Sequence, residues 1–208
     1  MAWFDFLRAT GGGVETMDIP LFPLATVLFP GSLLPLKVFE QRYLDMTATC
    51  LKDGSPFGIC LIDQGHEVGE AALPHLVGTL AHIEKWDMEQ LGILHIEVSG
   101  SRRFRILDHE VGEGKLLEAS VELLPESEAP LPQNRERLLP LLQRVVADLG
   151  AERVPEPHRY DSASWVGYRI TEVLPIQNLA KQKLLELDDP LARLEILEKF
   201  LDQRSLLV

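Results

Sequence analysis

The chain has 208 residues, enough for one large domain or two small ones with a core in each. Hydrophobic residues make up 46% and charged residues 25%, as in an ordinary globular protein, but the net charge is −12. Such a surface repels phosphate backbones and anionic lipid, which argues against nucleic-acid and membrane-surface binding, and two cysteines, Cys50 and Cys60, are too few for a disulfide framework or a four-cysteine zinc site. A reducing cytoplasm is the expected compartment.

No stretch reaches the roughly 20 apolar residues that a membrane helix needs. The N-terminus is apolar for a few residues only, with Asp5 and a single Arg8, so it does not read as a signal peptide. Gly11, Gly12 and Gly13 read as a flexible joint, so residues 1–16, with Trp3, Phe4 and Phe6, are expected to form a loosely held arm.

From Ile19 to Leu124 short runs rich in Val, Ile and Phe alternate with Gly, Pro and Asp, the pattern of strands. The clearest are Phe57–Ile62, Thr79–Trp86, Gly92–Ser99, Arg103–Leu107 and Leu116–Leu124. Phe39, Tyr43, Thr47, Cys50 and Leu51 recur instead at helical spacing, which predicts a helix near 40–51 packed against the sheet. The segment Pro125–Gln133 holds three prolines in nine residues and marks a boundary. Beyond it Leu138, Leu142, Val145, Val146 and Leu149 share a helical face. Ser164 is the expected cap of a helix over Trp165–Leu174, Gln177–Leu187 reads as another, and Asp189-Pro190 opens a last one over Leu191–Asp202. The reading is an α+β chain: an arm over 1–16, a β-rich lobe over 17–124, a proline-rich linker over 125–133 and a helical lobe over 134–208. Residues 18–126 carry 8 basic and 17 acidic side chains, a net of −9; residues 127–208 carry 11 and 13, a net of −2. The β lobe is the acidic one.

The chemistry of an ATPase is missing from the text of the chain. Gly112–Leu116, GEGKL, has Lys115 but neither the spacing nor the hydroxyl of a phosphate loop, and reads as a hairpin turn. There is no GxSxG, HExxH or CxxC. Cys50 on an apolar helical face and Cys60 in an apolar strand read as packing residues, since a reactive thiolate wants an electropositive, partly exposed site. His82, Glu84, His95 and Glu97 form one candidate constellation. A loop at Asp87–Gly92 would set Trp86 against Ile93, Glu84 against His95 and His82 against Glu97, with all four polar side chains on one face. They would serve either as two cross-strand pairs or as ligands of a divalent metal in a small hydrolase. Arg102, Arg103 and Arg105 look like a basic patch but lie beside Asp108, Glu110 and Glu113, which favours ion pairing over RNA.

The segment Ile19–Tyr43, IPLFPLATVLFPGSLLPLKVFEQRY, resembles the opening of the Lon protease N-terminal domain, a PUA-like β pseudo-barrel followed by helices. Pro20, Leu21, Phe22, Pro23, Leu24, Phe29, Pro30, Gly31, Pro35, Leu36, Phe39, Glu40, Arg42 and Tyr43 stand at the places of that family's pattern; Val38 replaces its usual isoleucine. Phe57-Gly58, Gly65–Gly69, Val77-Gly78-Thr79, Val98-Ser99-Gly100 and Arg103-Phe104 follow in order, and Leu174-Pro175, Lys181–Leu187, Asp189-Pro190 and Arg193-Leu194 resemble its helical end. Read as residues alone, these positions build the fold. Prolines belong at edges, strand starts or turns, Phe39 and Tyr43 would share a helical face, and Glu40 suits a helix start and an ion pair with Arg42 or Arg103.

The resemblance implies a non-catalytic substrate-recognition module without the family's ATPase and protease modules. Its partners would be unfolded or apolar protein segments, or a protease system, with no cofactor, nucleic acid or membrane. The expected surface is a cleft between the lobes, lined by Trp165, Tyr168 and Phe200. A PUA-like RNA-binding protein is the rival from another class, and the −9 balance of the β lobe speaks against it.

Overall fold

The computed structural model describes residues 8–10 and 14–207. The chain divides into two compact units, one ending at Leu124 and the other starting at Pro125. No helix among the described residues is long and apolar enough to cross a membrane.

The first unit contains β1 (Arg8–Thr10), β2 (Val14–Leu24), β3 (Leu33–Val38), α1 (Gln41–Asp53), β4 (Phe57–Gln64), β5 (Leu73–Pro74), β6 (Val77–Gln90), β7 (Ile93–Val111) and β8 (Leu117–Leu123). The sheet runs β1-β2-β8-β7-β6-β4-β5, and a parallel pairing of β2 with β4 closes it on itself. β3 lies on β7, antiparallel, with Leu34 opposite Val98 and Leu36 opposite Ile96. β1 pairs with the first residues of β2; the rest of the arm expected over 1–16 lies outside the described residues.

The prolines of the opening segment sit where the backbone can spare an N–H. At Pro20, β2 pairs with β8 and not with β4; at Pro23 it pairs with β4 and not with β8. Pro35 is in β3, which pairs with β7 alone among the described strands. Each proline therefore occupies a stretch with one strand neighbour, where its missing donor breaks no ladder. Pro30 and Gly31 make the turn between β2 and β3. Ser32 N donates to Phe29 O at 3.0 Å, and Gly31 adopts φ +75°, a left-handed conformation suited to the third residue of such a turn.

Two apolar clusters fill this unit. Ile19, Leu21, Leu80, Phe104, Ile106, Leu117 and Val121 pack inside the closed sheet; Tyr43, Met46 and Cys50 of α1 press onto Phe22, Phe57, Ile59 and Ile96. Backbone contact is close enough to require glycine. A Cβ at Gly78 would stand 2.5 Å from Ile59 O, and one at Gly100 would stand 2.3 Å from Phe29 O. Cys50 and Cys60 are buried, and burial raises both thiol pKa values, with Ser55 partly offsetting this at Cys50.

The second unit holds α2 (Leu139–Leu149), α3 (Ala163–Val173), α4 (Asn178–Glu186) and α5 (Pro190–Gln203). Its core gathers Leu142, Val146, Val166, Ile170, Leu194, Leu197 and Leu201. The cap of α3 is Ser162, which accepts from Trp165 N at 3.3 Å, and not Ser164, whose hydroxyl donates to Ser127 O. Asp189 caps α5 by accepting from Leu191 N at 2.8 Å, with Pro190 in the first turn. The stretch read as a linker, 125–133, is laid along this unit. Leu131 N donates to Asp161 O, Ala163 N donates to Ala129 O, and Ala129 and Leu131 pack on the helical core. Proline richness there specifies an extended segment, not a loose one.

Arg193 organises the end of α4. Its Nε donates to Leu184 O at 2.8 Å, another guanidinium nitrogen donates to Leu187 O, and the ion lies 4.1 Å from the centre of the Tyr168 ring. A buried cation thus satisfies carbonyls that a helix C-terminus leaves unpaired.

Candidate functional site

The family-like opening segment lines a concavity of the first unit. A cavity of about 370 Å³ lies between the Phe22–Leu24 end of β2 and β3, with the start of α1 on one side and the loop carrying Glu67 and Val68 on the other. Phe22 and Tyr43 stack at 3.9 Å between ring centres and form an aromatic wall. Leu34 and Leu36 are partly buried, and Val38 is buried.

Phe39 departs from its expected place. It precedes α1, whose first residue is Gln41, so it does not share the buried helical face with Tyr43. The residue is 51% exposed and lines the cavity. Leu51 is likewise exposed at the far end of the helix, where the apolar spacing overshoots the core.

Polar groups fix the rim. Arg42 makes an ion pair with Glu40 at 3.1 Å, as expected, donates to Lys115 O at 3.1 Å, and lies 4.6 Å from the Tyr43 ring centre. Glu40 also accepts from Gly69 N at 3.4 Å, and Glu67 accepts from Ala25 N at 2.5 Å. These bonds hold the 65–70 loop against the groove. Burial, partly offset by the Arg42 charge, pushes the Tyr43 phenol above its ordinary pKa, so it stays neutral and apolar towards the groove. The Glu67 contact joins residues 42 apart and has no signature in the sequence.

The His82/Glu84/His95/Glu97 set does not assemble. β6 and β7 run longer than expected and turn at Leu91-Gly92, with register shifts between Ile83 and Lys85 and between Asp87 and Gln90. Trp86 stands opposite Ile96, Asp87 opposite His95, Lys85 opposite Glu97 and His82 opposite Ser99. His82 Nε2 lies 3.1 Å from Ser101 Oγ, Ser99 Oγ donates to Glu84 at 2.5 Å, and Lys85 pairs with Glu97 at 2.8 Å. No group of three or more His, Cys, Asp or Glu side chains suited to a metal occurs among the described residues.

The arginines are committed elsewhere than expected. Arg102 pairs with Glu15 at 2.5 Å, Arg105 with Glu122 at 4.0 Å, and Arg103 is fully buried beside the fully buried Phe104. A bulge between Ile106 and Asp108 breaks the simple alternation of this strand. Gly112–Lys115 forms the short turn between β7 and β8, with Gly114 and Lys115 both left-handed.

Trp165, Tyr168 and Phe200 do not line one pocket. Trp165 packs edge-on against Tyr160 at 5.1 Å and beside His158, while Tyr168 is buried under Arg193. Phe200 alone reaches a groove, one of about 580 Å³ within the helical unit lined by Leu174, Ile176, Leu184, Leu187 and Ile196.

The barrel with its signature segment and the four helices agree with known proteins. The family model of the ATP-dependent protease La (Lon) substrate-binding domain matches residues 18–203. The chain belongs to the Lon substrate-binding domain family. The crystal structure of a Lon N-terminal domain protein from Xanthomonas campestris is 36% identical, with a TM-score of 0.74 over 88% of this chain and 98% of that one. The N-terminal domain of a Mycobacterium avium complex Lon protease, 22% identical, shares the fold at a TM-score of 0.64, covering 90% of this chain and 98% of that one. The Lon protease of Phenylobacterium zucineum is 27% identical over 207 residues, 94% of this chain. This Lon-type chain spans only 26% of that protease's length. The family is that of a non-catalytic domain named for substrate binding.

Proposed function

We propose that this Lon-type domain recognises exposed apolar segments of other proteins, without catalysis, through the groove between β2 and β3. The observation that supports this reading is Phe39. A large aromatic side chain half exposed on the wall of an apolar groove gains nothing for the fold that an aliphatic residue in the core would not, whereas a partner that covers it gains its burial. The surrounding ion pairs are satisfied within the chain, so the apolar surface carries the affinity.

Calorimetric titration with a reduced, alkylated and hence permanently unfolded protein tests the reading. Affinity on the order of micromolar or poorer is expected, because the segment loses conformational entropy on docking. The heat-capacity change should be negative and the salt dependence slight. ATP should not alter binding. Phe39→Ser should weaken binding at least tenfold. The proposal fails if several unfolded clients do not bind. It fails equally if Phe39→Ser binds normally while Phe200→Ser does not, which would move the site to the helical groove.

A further inference from the structure

We infer that the segment binds as an added β-strand, laid into the gap between β3 and the Phe22–Leu24 end of β2. This rests on the groove being the protein-binding site and specifies how the site is read. The β3 wall of the gap is an open strand edge, whereas residues 22–24 of β2 are buried and close the other side with side chains. Among the described strands β3 pairs with β7 only, and the pairing of β2 with β8 stops at Leu21, so residues 22–24 pair with β4 alone. Both strands line the same cavity. An open edge presents backbone donors and acceptors that an extended peptide can pair with, and a flanking groove then sorts its alternate side chains.

Pro35 sets the register of that edge. In an antiparallel pair, residues alternate between bonding to the partner and directing both backbone groups away. Pro35 has no N–H to give β7, so it belongs to the outward set, together with Leu33 and Lys37. The Lys37 N–H and the Pro35 and Lys37 carbonyls are then the groups offered to a new strand. Side chains on that strand alternate as well. One set enters the cavity against Leu34, Leu36 and Phe39; the other lies beside Pro35 and Lys37, which are exposed.

Charge selects among extended segments. Glu40 and Glu67 are engaged by Arg42 and by backbone N–H groups, whereas Lys37 has no ion-pair partner among the described residues. The occupant is therefore an extended segment of another protein with apolar residues at alternate positions and a Glu or Asp on the outer face, beside Lys37.

The probe is a capped heptapeptide of alternating valine and threonine with one central glutamate among the polar positions, titrated against the whole chain by calorimetry. A series with a single backbone N-methyl group at successive positions follows. Strand addition predicts that methylation at one alternate set lowers affinity tenfold or more and at the other set changes it little. Lys37→Glu should weaken the glutamate peptide and strengthen its lysine counterpart. Binding indifferent to N-methylation would overturn strand addition while leaving apolar recognition at the groove intact. Binding of unfolded protein without binding of the alternating peptide would do the same. If neither binds, both readings fall. Dimerisation in ultracentrifugation that the peptide reverses would assign the edge to a second copy and overturn the proposal.

Discussion

The two units, each with a buried arginine, close a small core with different emphasis. The β unit closes through what is missing. Its backbone segments approach where Gly78 and Gly100 have no side chain, and a single added carbon meets carbonyl oxygens at 2.5 and 2.3 Å. The helical unit closes through what is added, a long cation driven into its interior so that Arg193 can bond the carbonyls at the end of α4. Steric vacancy tolerates no substitution, whereas a hydrogen-bonding cation can be replaced at a finite loss. The contrast also explains why residues as dissimilar as glycine and arginine mark one fold.

Graded substitutions separate the two strategies. Gly100→Ala should have the largest effect, destabilising by about 3 kcal/mol or more, because its Cβ meets backbone and not a side chain that can swing away. Urea denaturation measures it, and a loss below about 1 kcal/mol would refute the account of closure. Arg193→Met should cost about 2–3 kcal/mol, since apolar volume is kept but two carbonyls lose their donors. Hydrogen exchange should locate the loss in residues 163–203. Protection lost evenly over the whole chain would contradict a role local to the helical core. Gly31→Ala should cost only about 1 kcal/mol, because nothing lies within 4 Å and the penalty is that of a left-handed backbone alone. A Gly31→Ala loss equal to that of Gly100→Ala would erase the distinction between space and conformation.

The smallest effect is a pH dependence. Burial holds the His82 imidazole below its ordinary pKa, against the opposing pull of Glu84. The unfolded chain therefore binds more protons than the folded one. The stability tied to His82 is fully present above the unfolded pKa of about 6.5 and is lost as pH falls through the lower folded value. Between pH 8 and pH 5 the native chain should lose more stability than His82→Gln does. Parallel losses in the two proteins would rule the partly buried imidazole out.

The fold was legible where local pattern and packing agree. α1, the strand cores and the Asp189-Pro190 helix start follow from spacing and caps. β2 was obscured because Pro20 and Pro23 read as bends; the strand survives them because each falls where a neighbour is lacking. The register of β6 and β7 depends on three irregularities and on a turn at Leu91-Gly92 that sets Gln90, and not Trp86, opposite Ile93, and neither leaves a local mark. The site was legible as a motif and not as a surface. Phe39 carries the helical spacing of a core residue, and only the helix start at Gln41 reveals that it faces outwards. Contacts such as Glu67 to Ala25 are decided by the closed sheet.

The two shielded thiols give the molecule a pair of internal clocks. Cys50 lies on the buried face of α1 and Cys60 inside the closed sheet, each held protonated and out of reach of solvent. An alkylating reagent meets Cys50 only after the helix lifts and Cys60 only after the strands part, so the two labelling rates time two different openings. A cysteine placed on the helical unit would then take a dye while both native thiols stay dark, and the chain can be tagged without first removing its own sulfur.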